Sequence, residues 1–312
     1  MSLLSALLSP APTRDRAPLP STGRAGRNLP AAIAVAAVLV ALVLGSLMFN
    51  KVYFVALAAV AVCAALWELA AAFARKGIRL PLAPLWLGTI GIAITAWRVG
   101  AEAAFVAYAA TAGACVLWCF MDEAEADTGT FVEAGAPDMP RTDVHDAVRR
   151  SRSASAAASV LAATYLPFLA GFAVLLAAQP QGVEKVILLI ALPVANDTGG
   201  WLAGITMGRH PMARSVSPKK TWEGFIGSLV AAVGTGAGCM HLMDGPLWAG
   251  GALGACIVVV STIGDLGESL LKRDLGLKDM GRLLPGHGGI MDRLDSILVA
   301  APVVYVFSLL VH

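Results

Sequence analysis

The sequence from Ser269 to Asp295 reads SLLKRDLGLKDMGRLLPGHGGIMDRLD and separates two long apolar runs. It contains four Asp, five Lys or Arg, one His and five Gly. The whole chain, by contrast, is 57% hydrophobic and only 14% charged. So many polar residues between apolar runs indicate a functional segment, for which the neighbouring runs serve as scaffold.

Apolar runs of about twenty residues recur from position 31 onward, and the mean hydropathy of the chain is +0.73. A run of about 18 or more apolar residues is typical of a membrane-spanning helix. The runs are about twice as long as a barrel strand and do not alternate in polarity, so a closed barrel is disfavoured. We therefore predict an all-α polytopic membrane protein. The nine predicted spans cover 31–49, 53–74, 82–97, 101–120, 155–178, 184–204, 223–243, 247–271 and 292–311.

Lys and Arg residues are unevenly distributed between the two sides of the predicted membrane. If the N-terminus is cytoplasmic, the cytoplasmic segments are the N-terminal tail and the loops after the even-numbered spans. These segments hold all of the 23 Lys and Arg residues except Lys51, Arg98 and Lys185. Cytoplasmic segments of membrane proteins are enriched in these residues. We therefore predict a multi-pass protein of the inner (plasma) membrane, with its C-terminus outside and its polar motifs facing the cytoplasm.

Four regions follow from this pattern. Residues 1–30, rich in Pro, Ser and Arg, are predicted to form a disordered cytoplasmic tail. Residues 31–120 hold the N-terminal transmembrane helices. Residues 121–154 form a polar cytoplasmic insertion, mostly disordered, with a short helix near Val144–Arg149. Residues 155–312 form the C-terminal transmembrane region, which we predict to be catalytic because it carries the polar motifs.

Charge and cysteine content exclude two other classes of protein. The net charge of +2 is too small to favour nucleic-acid binding. The five Cys residues all lie within apolar spans, and no CxxC motif occurs. No disulfide framework is therefore predicted.

The first polar motif lies within the sixth predicted span and reads ANDTGGWLAGITMGR, from Ala195 to Arg209. A carboxylate at the centre of a membrane helix costs about 2.5–3.5 kcal/mol on insertion scales, so Asp197 is a candidate functional residue. The alternative is a structural Asp that is hydrogen-bonded to a neighbouring helix. Four glycines in the motif would allow close approach of another backbone or a ligand.

The second motif, SVSPKKTWEG, covers Ser215–Gly224 in the loop between the sixth and seventh spans. Lys219 and Lys220 could contact anionic lipid head groups at this position. The neighbouring hydroxyls of Ser217 and Thr221 instead favour a phosphate-binding turn that caps the seventh span.

The third motif extends from Gly264 through the opening segment. Asp265, Glu268 and Lys272 follow one another at i, i+3 and i+7, which places them on one face of a helix. A turn-forming LPGHGG segment comes next, and its glycines leave backbone N–H groups free to face an anion.

Two carboxylates follow this turn at the start of the last predicted span. Asp292 and Asp295 share a helix face, whereas Arg293 points elsewhere. Carboxylate ligands without clustered His or Cys are typical of Mg²⁺ and argue against zinc.

The segment from Ser269 to Asp295 resembles the signature of the phosphatidate cytidylyltransferases, also called CDP-diacylglycerol synthases. The SPKKTWEG and Asp197 motifs are also similar to family elements, so the resemblance covers 184–312 well. It implies that CTP and phosphatidate give CDP-diacylglycerol and pyrophosphate, with Mg²⁺ as cofactor and a membrane-embedded homodimer as the assembly. The matching elements are the pairs Lys272-Arg273 and Lys278-Asp279, the HGG of 287–289 and the DRxD of 292–295.

The chemistry of the residues agrees with this reaction. The second pKa of a phosphate monoester is about 6, so phosphatidate is already an anionic nucleophile at neutral pH. Asp265 and Asp292 are the predicted catalytic metal ligands, for two divalent ions or for one divalent and one monovalent ion. Lys219 and Lys220 are predicted to hold CTP phosphates or the phosphatidate head group, and His287 is a candidate proton donor or phosphate contact. The remaining candidate substrate contacts are Asp197, Ser217, Thr221, Glu268, Lys272, Arg273, Lys278, Asp279, Gly288, Gly289, Arg293 and Asp295.

Other functions remain open at this point. A CTP-dependent lipid kinase, or a cytidylyltransferase for another lipid phosphate, could use a similar site; a kinase would release CDP rather than pyrophosphate. A cation-coupled transporter would also place Asp residues in its spans. It would not need a basic HGG loop, however, and the sequence has no internal repeat.

Overall fold

The computed structural model describes residues 10, 29–121, 141–213, 217–277, 280–281 and 289–311. These residues are almost entirely helical. The helices are α1 (Leu29–Phe49), α2 (Lys51–Ala74), α3 (Leu82–Arg98), α4 (Ala101–Met121), α5 (Arg141–Ala163), α6 (Leu169–Ala178), α7 (Gly182–Met207), α8 (Trp222–Leu242), α9 (Leu247–Asp274) and α10 (Met291–Leu310). A π-helical turn, Thr164–Phe168, joins α5 to α6, and the strands β1 (Pro211–Ala213) and β2 (Ser217–Thr221) form an antiparallel hairpin between α7 and α8.

Seven helical segments of the described chain are long and apolar enough to cross a membrane. They are Lys51–Ala74, Ala101–Met121, Ser151–Ala178, Gly182–Met207, Trp222–Leu242, Leu247–Asp274 and Met291–Leu310. Two further apolar helical segments are shorter: α3 has 17 residues, and the apolar segment in α1 covers Ala37–Phe49. The all-α, multi-pass architecture is therefore confirmed, whereas the count of nine spans and the orientation of the termini stay predictions.

Helix ends agree closely with local sequence signals. The Asn50 side chain accepts a hydrogen bond of 3.0 Å from the N–H of Val52 and caps α2. Thr221 does the same for α8, accepting from the N–H of Gly224 at 3.1 Å, as the sequence predicts. A glycine with a positive φ of 67°, Gly276, follows the end of α9, where a left-handed residue terminates the helix.

The structure differs from the sequence prediction at the start of helix α5. A short helix near Val144–Arg149 was expected, but α5 runs continuously from Arg141 into the fifth membrane segment. The intervening residues are rich in Ala and contain neither Pro nor Gly, so nothing interrupts the helix. Most of the predicted tail at 1–30, and residues 122–140 of the predicted insertion at 121–154, lie outside the described residues, so the disorder expected there stays a prediction.

Small residues bring α7, α8 and α9 unusually close together. A Cβ atom added to Gly199 would lie 2.6 Å from the carbonyl oxygen of Gly227, and one added to Gly227 would lie 2.6 Å from that of Gly199. Between α8 and α9, an added Cβ on Gly236 would overlap the carbonyl oxygen of Gly250. Backbones can approach in this way only where side chains are absent. The three helices therefore form a tight unit, and the candidate site lies at its end.

A second contact region joins the two halves of the chain. Leu66 and Leu69 of α2 belong to one buried apolar cluster with Leu277, Met280 and Met291. The N-terminal half thus packs against both ends of the segment that connects α9 to α10.

Candidate active site

A cavity of about 350 Å³ lies among α7, β2, α8, α9 and α10. It brings together residues from all three sequence motifs. The lining residues are Asn196, Asp197, Gly200, Trp201, Gly204, Met212, Lys220, Thr221, Gly224, Phe225, Ser228, Thr262, Asp265, Asp292, Asp295 and Ser296. A cavity of this size is typical of a small-molecule site.

Lys220 and Asp265 form an ion pair on one side of the cavity. The Nζ atom of Lys220 lies 2.6 Å from Oδ2 of Asp265. The other carboxylate oxygen of Asp265, Oδ1, accepts a hydrogen bond of 3.3 Å from the hydroxyl of Ser296 on α10. The hairpin, α9 and α10 are thereby connected through one carboxylate. Both charged side chains are partly exposed, so an anionic ligand can reach the lysine.

Asp292 is the second carboxylate that both lines the cavity and contacts a lysine. Its Oδ1 atom lies 2.7 Å from Nζ of Lys272, and the same lysine lies 2.9 Å from Oε1 of Glu268, one helical turn earlier. Backbone N–H groups of Gly289 and Met280 also donate to the Asp292 carboxylate, at 2.9 and 3.3 Å. Asp292 is thus fixed by one lysine and two backbone donors.

Helix α7 contributes a third carboxylate to the cavity. Asp197 accepts a hydrogen bond of 2.9 Å from the side-chain amide of Asn196. The backbone of Asn196 is itself held by α8, because the hydroxyl of Ser228 donates to its carbonyl oxygen at 2.6 Å. The close packing of α7 on α8 therefore sets the position of Asp197.

The N-terminus of α8 also reaches the cavity, through Thr221 and Gly224. The first turn of a helix carries a partial positive charge and favours anions. The hairpin before it is attached by Glu223, whose carboxylate lies 2.5 Å from Nδ1 of His210 and accepts from the His210 backbone N–H at 3.2 Å. The N-terminus of α8 and the ammonium group of Lys220 together give this side of the cavity the positive charge that suits phosphate binding.

The carboxylates of the cavity are of the ligand type that Mg²⁺ prefers. No group of three or more His, Cys, Asp or Glu side chains that could hold a metal occurs among the residues for which the structure is described. Mg²⁺ is commonly held by one or two carboxylates, with water and substrate phosphates completing its shell. Asp265 and Asp292 provide two such carboxylates in one cavity, and Asp295 provides a further one beside Ser296.

The structure unites many of the residues predicted from sequence. Asp197, Lys220, Thr221, Asp265, Asp292 and Asp295 line the cavity, Glu268 and Lys272 adjoin it through Asp292, and Gly289 donates to Asp292. Of the described residues, Arg273 and Arg293 are exposed and lie outside the cavity lining. Ser217 and Lys219 belong to β2, but their side chains lie outside the description, as do Lys278, Asp279, His287 and Gly288 entirely.

Sequence reasoning missed several residues that contact this site. Asn196, Ser228 and Ser296 position the predicted carboxylates, yet uncharged polar residues in a helix give little signal by themselves. Glu68 was also missed, although it is a charged residue inside an apolar predicted span. The criterion that selected Asp197 would have selected Glu68 as well.

Together, the fold and the cavity define a polytopic membrane protein with a lysine- and aspartate-lined site suited to phosphate. Comparison with known proteins agrees, since a model of the cytidylyltransferase family matches residues 30–311. The chain therefore belongs to the cytidylyltransferase family, and the resemblance found in residues 269–295 is confirmed.

Two mycobacterial relatives align with nearly the whole chain. The phosphatidate cytidylyltransferase of Mycobacterium bovis is 36% identical over 294 residues, covering 94% of this chain and 92% of the relative. That of Mycobacterium leprae is 37% identical over 290 residues, covering 91% and 89%. A shorter match, to the phosphatidate cytidylyltransferase of Brucella suis, is 40% identical over 147 residues and covers 45% of this chain and 54% of the relative.

Proposed function

We propose that this protein transfers the cytidylyl group of CTP to phosphatidate, forming CDP-diacylglycerol and pyrophosphate in phospholipid biosynthesis. Its family membership and the names of relatives at 36–37% identity support this activity. The structural observation that carries the proposal is the meeting of two lysine–aspartate pairs, Lys220–Asp265 and Lys272–Asp292, at one cavity inside a membrane protein.

The reaction joins two polyanions, so charge neutralisation is the main task of the site. An oxygen of the phosphatidate phosphate attacks the α-phosphorus of CTP, and a new P–O bond forms. The bond from the α-phosphorus to the oxygen that bridges to the β-phosphate breaks, and pyrophosphate leaves. Because the attacking phosphate is already anionic, little general-base assistance is required.

Lys220 and the N-terminus of α8 are the groups proposed to hold phosphates during this step. Lysine side chains and helix termini stabilise charge that develops on a transferring phosphoryl group. In the structure Lys220 is paired with Asp265, so it must exchange that partner for phosphate when substrate binds. Lys272 keeps Asp292 in position from the other side.

Asp265 and Asp292 are the residues that would hold Mg²⁺. When bound there, the ion would supply charge neutralisation and polarisation of the phosphate being transferred. Whether a second divalent ion or a monovalent ion accompanies it stays a prediction from the sequence.

The lipid substrate requires an opening toward the bilayer as well as one toward CTP. Trp201 lines the cavity and is nevertheless 64% exposed, beside the exposed Leu202 and Ile205 of the same helix. This apolar border supports entry of phosphatidate past α7, with its acyl chains left in the membrane. We further propose, from the distribution of Lys and Arg, that the cavity faces the cytoplasm from the inner (plasma) membrane. The homodimer implied by the family resemblance stays a prediction.

The activity is tested directly with purified protein in detergent, supplied with CTP, phosphatidate and Mg²⁺. We expect equal amounts of pyrophosphate and a CDP-lipid. Release of CDP with a newly phosphorylated lipid would instead identify a lipid kinase. Omission of phosphatidate, and its replacement by diacylglycerol or a polyprenyl phosphate, separate the proposed substrate from other lipids.

A further inference from the structure

Glu68 is a buried acid that lies outside the cavity yet contacts its supporting backbone. The side chain belongs to α2 and only 2% of the residue is exposed. Its Oε2 atom accepts a hydrogen bond of 3.1 Å from the backbone N–H of Met291. Met291 is the first residue of α10 and directly precedes Asp292. A carboxylate of the N-terminal half thus holds the beginning of the last helix.

Two glycines make room for this carboxylate. A Cβ atom added to Gly281 would overlap Oε1 of Glu68. A Cβ atom added to Gly289 would lie 2.6 Å from Oε2 of Glu68, 2.9 Å from the Gly281 nitrogen and 3.0 Å from Oδ2 of Asp292. Gly281 and Gly289 therefore lie against each other, with the carboxylates of Glu68 and Asp292 both in contact with Gly289. No larger residue fits at either position without displacing one of them.

Asp292 is attached to the same piece of backbone. It accepts from the N–H groups of Gly289 and Met280, which flank the glycine contact. Met280 and Met291 are fully buried in an apolar cluster. Leu66 and Leu69, which lie on either side of Glu68 in the sequence of α2, belong to the same cluster. The position of Glu68 relative to this backbone is consequently fixed by packing as well as by its hydrogen bond.

From this arrangement we infer that Glu68 is a positioning residue for Asp292. Its carboxylate holds the backbone from Gly289 to Met291, and that backbone in turn holds the Asp292 side chain toward the cavity. A carboxylate suits this role because it accepts strong hydrogen bonds from N–H groups in an apolar environment. The N-terminal helices thus take part in shaping the site, although they contribute no residue to the cavity lining described here. The link to catalysis rests on the proposed function.

The first experiment measures the backbone itself, by hydrogen–deuterium exchange of the metal-free protein. Glu68→Ala removes the acceptor, so we expect faster exchange in the peptide that contains Met291. Glu68→Gln retains an amide oxygen and should restore part of the protection. The matched control is Phe54→Ala, because Phe54 lies on the same helix but belongs to a different buried apolar cluster, with Leu189 and Ile257, and we expect this peptide to be unaffected. Equal exchange in wild type and both Glu68 variants would overturn the inference.

The second experiment measures Mn²⁺ binding, in the presence of CTP and without lipid, by electron paramagnetic resonance. Loss of a residue that supports a metal ligand typically weakens metal affinity or activity about 10- to 100-fold. We expect a loss in this range for Glu68→Ala, a smaller loss for Glu68→Gln and none for Phe54→Ala. Unchanged Mn²⁺ affinity in the two Glu68 variants would contradict the inference. A wild type that binds Mn²⁺ and CTP but forms no CDP-lipid would contradict the proposed function instead.

The glycine contact gives an independent test by double substitution. As a single substitution, Gly281→Ala places a methyl group against the Glu68 carboxylate, so it should weaken Mn²⁺ binding. In the Glu68→Ala background the obstacle is gone, and Gly281→Ala should add little further loss. Strictly additive effects would show that the two residues do not act on one another.

Discussion

Lys220 Nζ lies 2.6 Å from Asp265 Oδ2, and this contact joins the hairpin before α8 to the C-terminal half of α9, 45 positions later in the chain. The pair unites a predicted phosphate-binding lysine with a predicted metal ligand. In the structure each satisfies the charge of the other. Their separation on substrate binding is therefore part of the proposed catalytic cycle.

Removing either candidate metal ligand should nearly abolish activity. Asp265→Asn and Asp292→Asn keep the side-chain shape but lose the negative charge, and we expect each to lower kcat about 100-fold or more. Pyrophosphate release with saturating CTP and phosphatidate measures the effect. Asp244→Asn, in an exposed turn between α8 and α9, is the matched control. Near-full activity of both well-folded variants would contradict the mechanism.

Lys220 should act on the nucleotide. Lys220→Met removes the ammonium group but preserves an unbranched side chain, so we expect at least a tenfold loss in kcat/KM for CTP. Lys220→Arg should recover part of it by retaining the charge. Lys51→Met serves as control, since Lys51 contacts the carbonyl oxygen of Gln179 near the start of α7, remote in sequence from the motifs. An unchanged response to CTP concentration in Lys220→Met would remove Lys220 from the phosphate site.

The close contact between α7 and α8 predicts that alanine substitution of two different glycines in α8 has different effects on the stability of the protein. Gly227→Ala places a methyl group against Ala203 and the Gly199 carbonyl, so it should destabilise the protein by about 1–3 kcal/mol. Gly234→Ala has open space around its Cβ and should leave stability unchanged or slightly higher. Thermal unfolding in detergent compares the two variants. Equal melting temperatures would refute the close helix packing.

Trp201 should affect the lipid more than the nucleotide. We expect Trp201→Ala to raise KM for phosphatidate severalfold while KM for CTP changes little, because the side chain borders the cavity and is exposed beside the apolar Leu202 and Ile205. Initial rates in mixed micelles, with each substrate varied in turn, separate the two constants. Trp248→Ala, an exposed tryptophan at the start of α9, controls for general effects on detergent binding. A change in KM for CTP without a change in KM for phosphatidate would contradict lipid entry past α7.

Much of the fold could be predicted from sequence, because each membrane helix is encoded by its own apolar run. Helix α9 begins at the predicted residue, Leu247, and α10 begins within one residue of the prediction. The extension of α5 back to Arg141 was missed, because polar residues concealed a helix whose continuity depends on backbone propensity rather than on apolar length.

The candidate site was only partly accessible to the same reasoning. Asp197 was found because a carboxylate in an apolar run is costly and therefore conspicuous. Asp265 and Asp292 were found because each shares a helix face with another charged residue, on either side of the glycine-rich turn. The pairing of Lys220 with Asp265 and the contact of Ser228 with Asn196 were not predicted, since they depend on how separate elements pack. Periodicity places residues on a helix face, but it does not say which helix that face meets.

The hydrogen bond from Met291 to Glu68 spans 223 positions of the chain. Chains are synthesised from the N-terminus, so α2 is made long before its partner backbone in α10 exists. Contacts between such distant segments form late in folding, after the cost in chain entropy of closing the long loop between them has been met. The hydrogen bond that supports the backbone beside Asp292 therefore cannot form until the last helix of the chain has been synthesised.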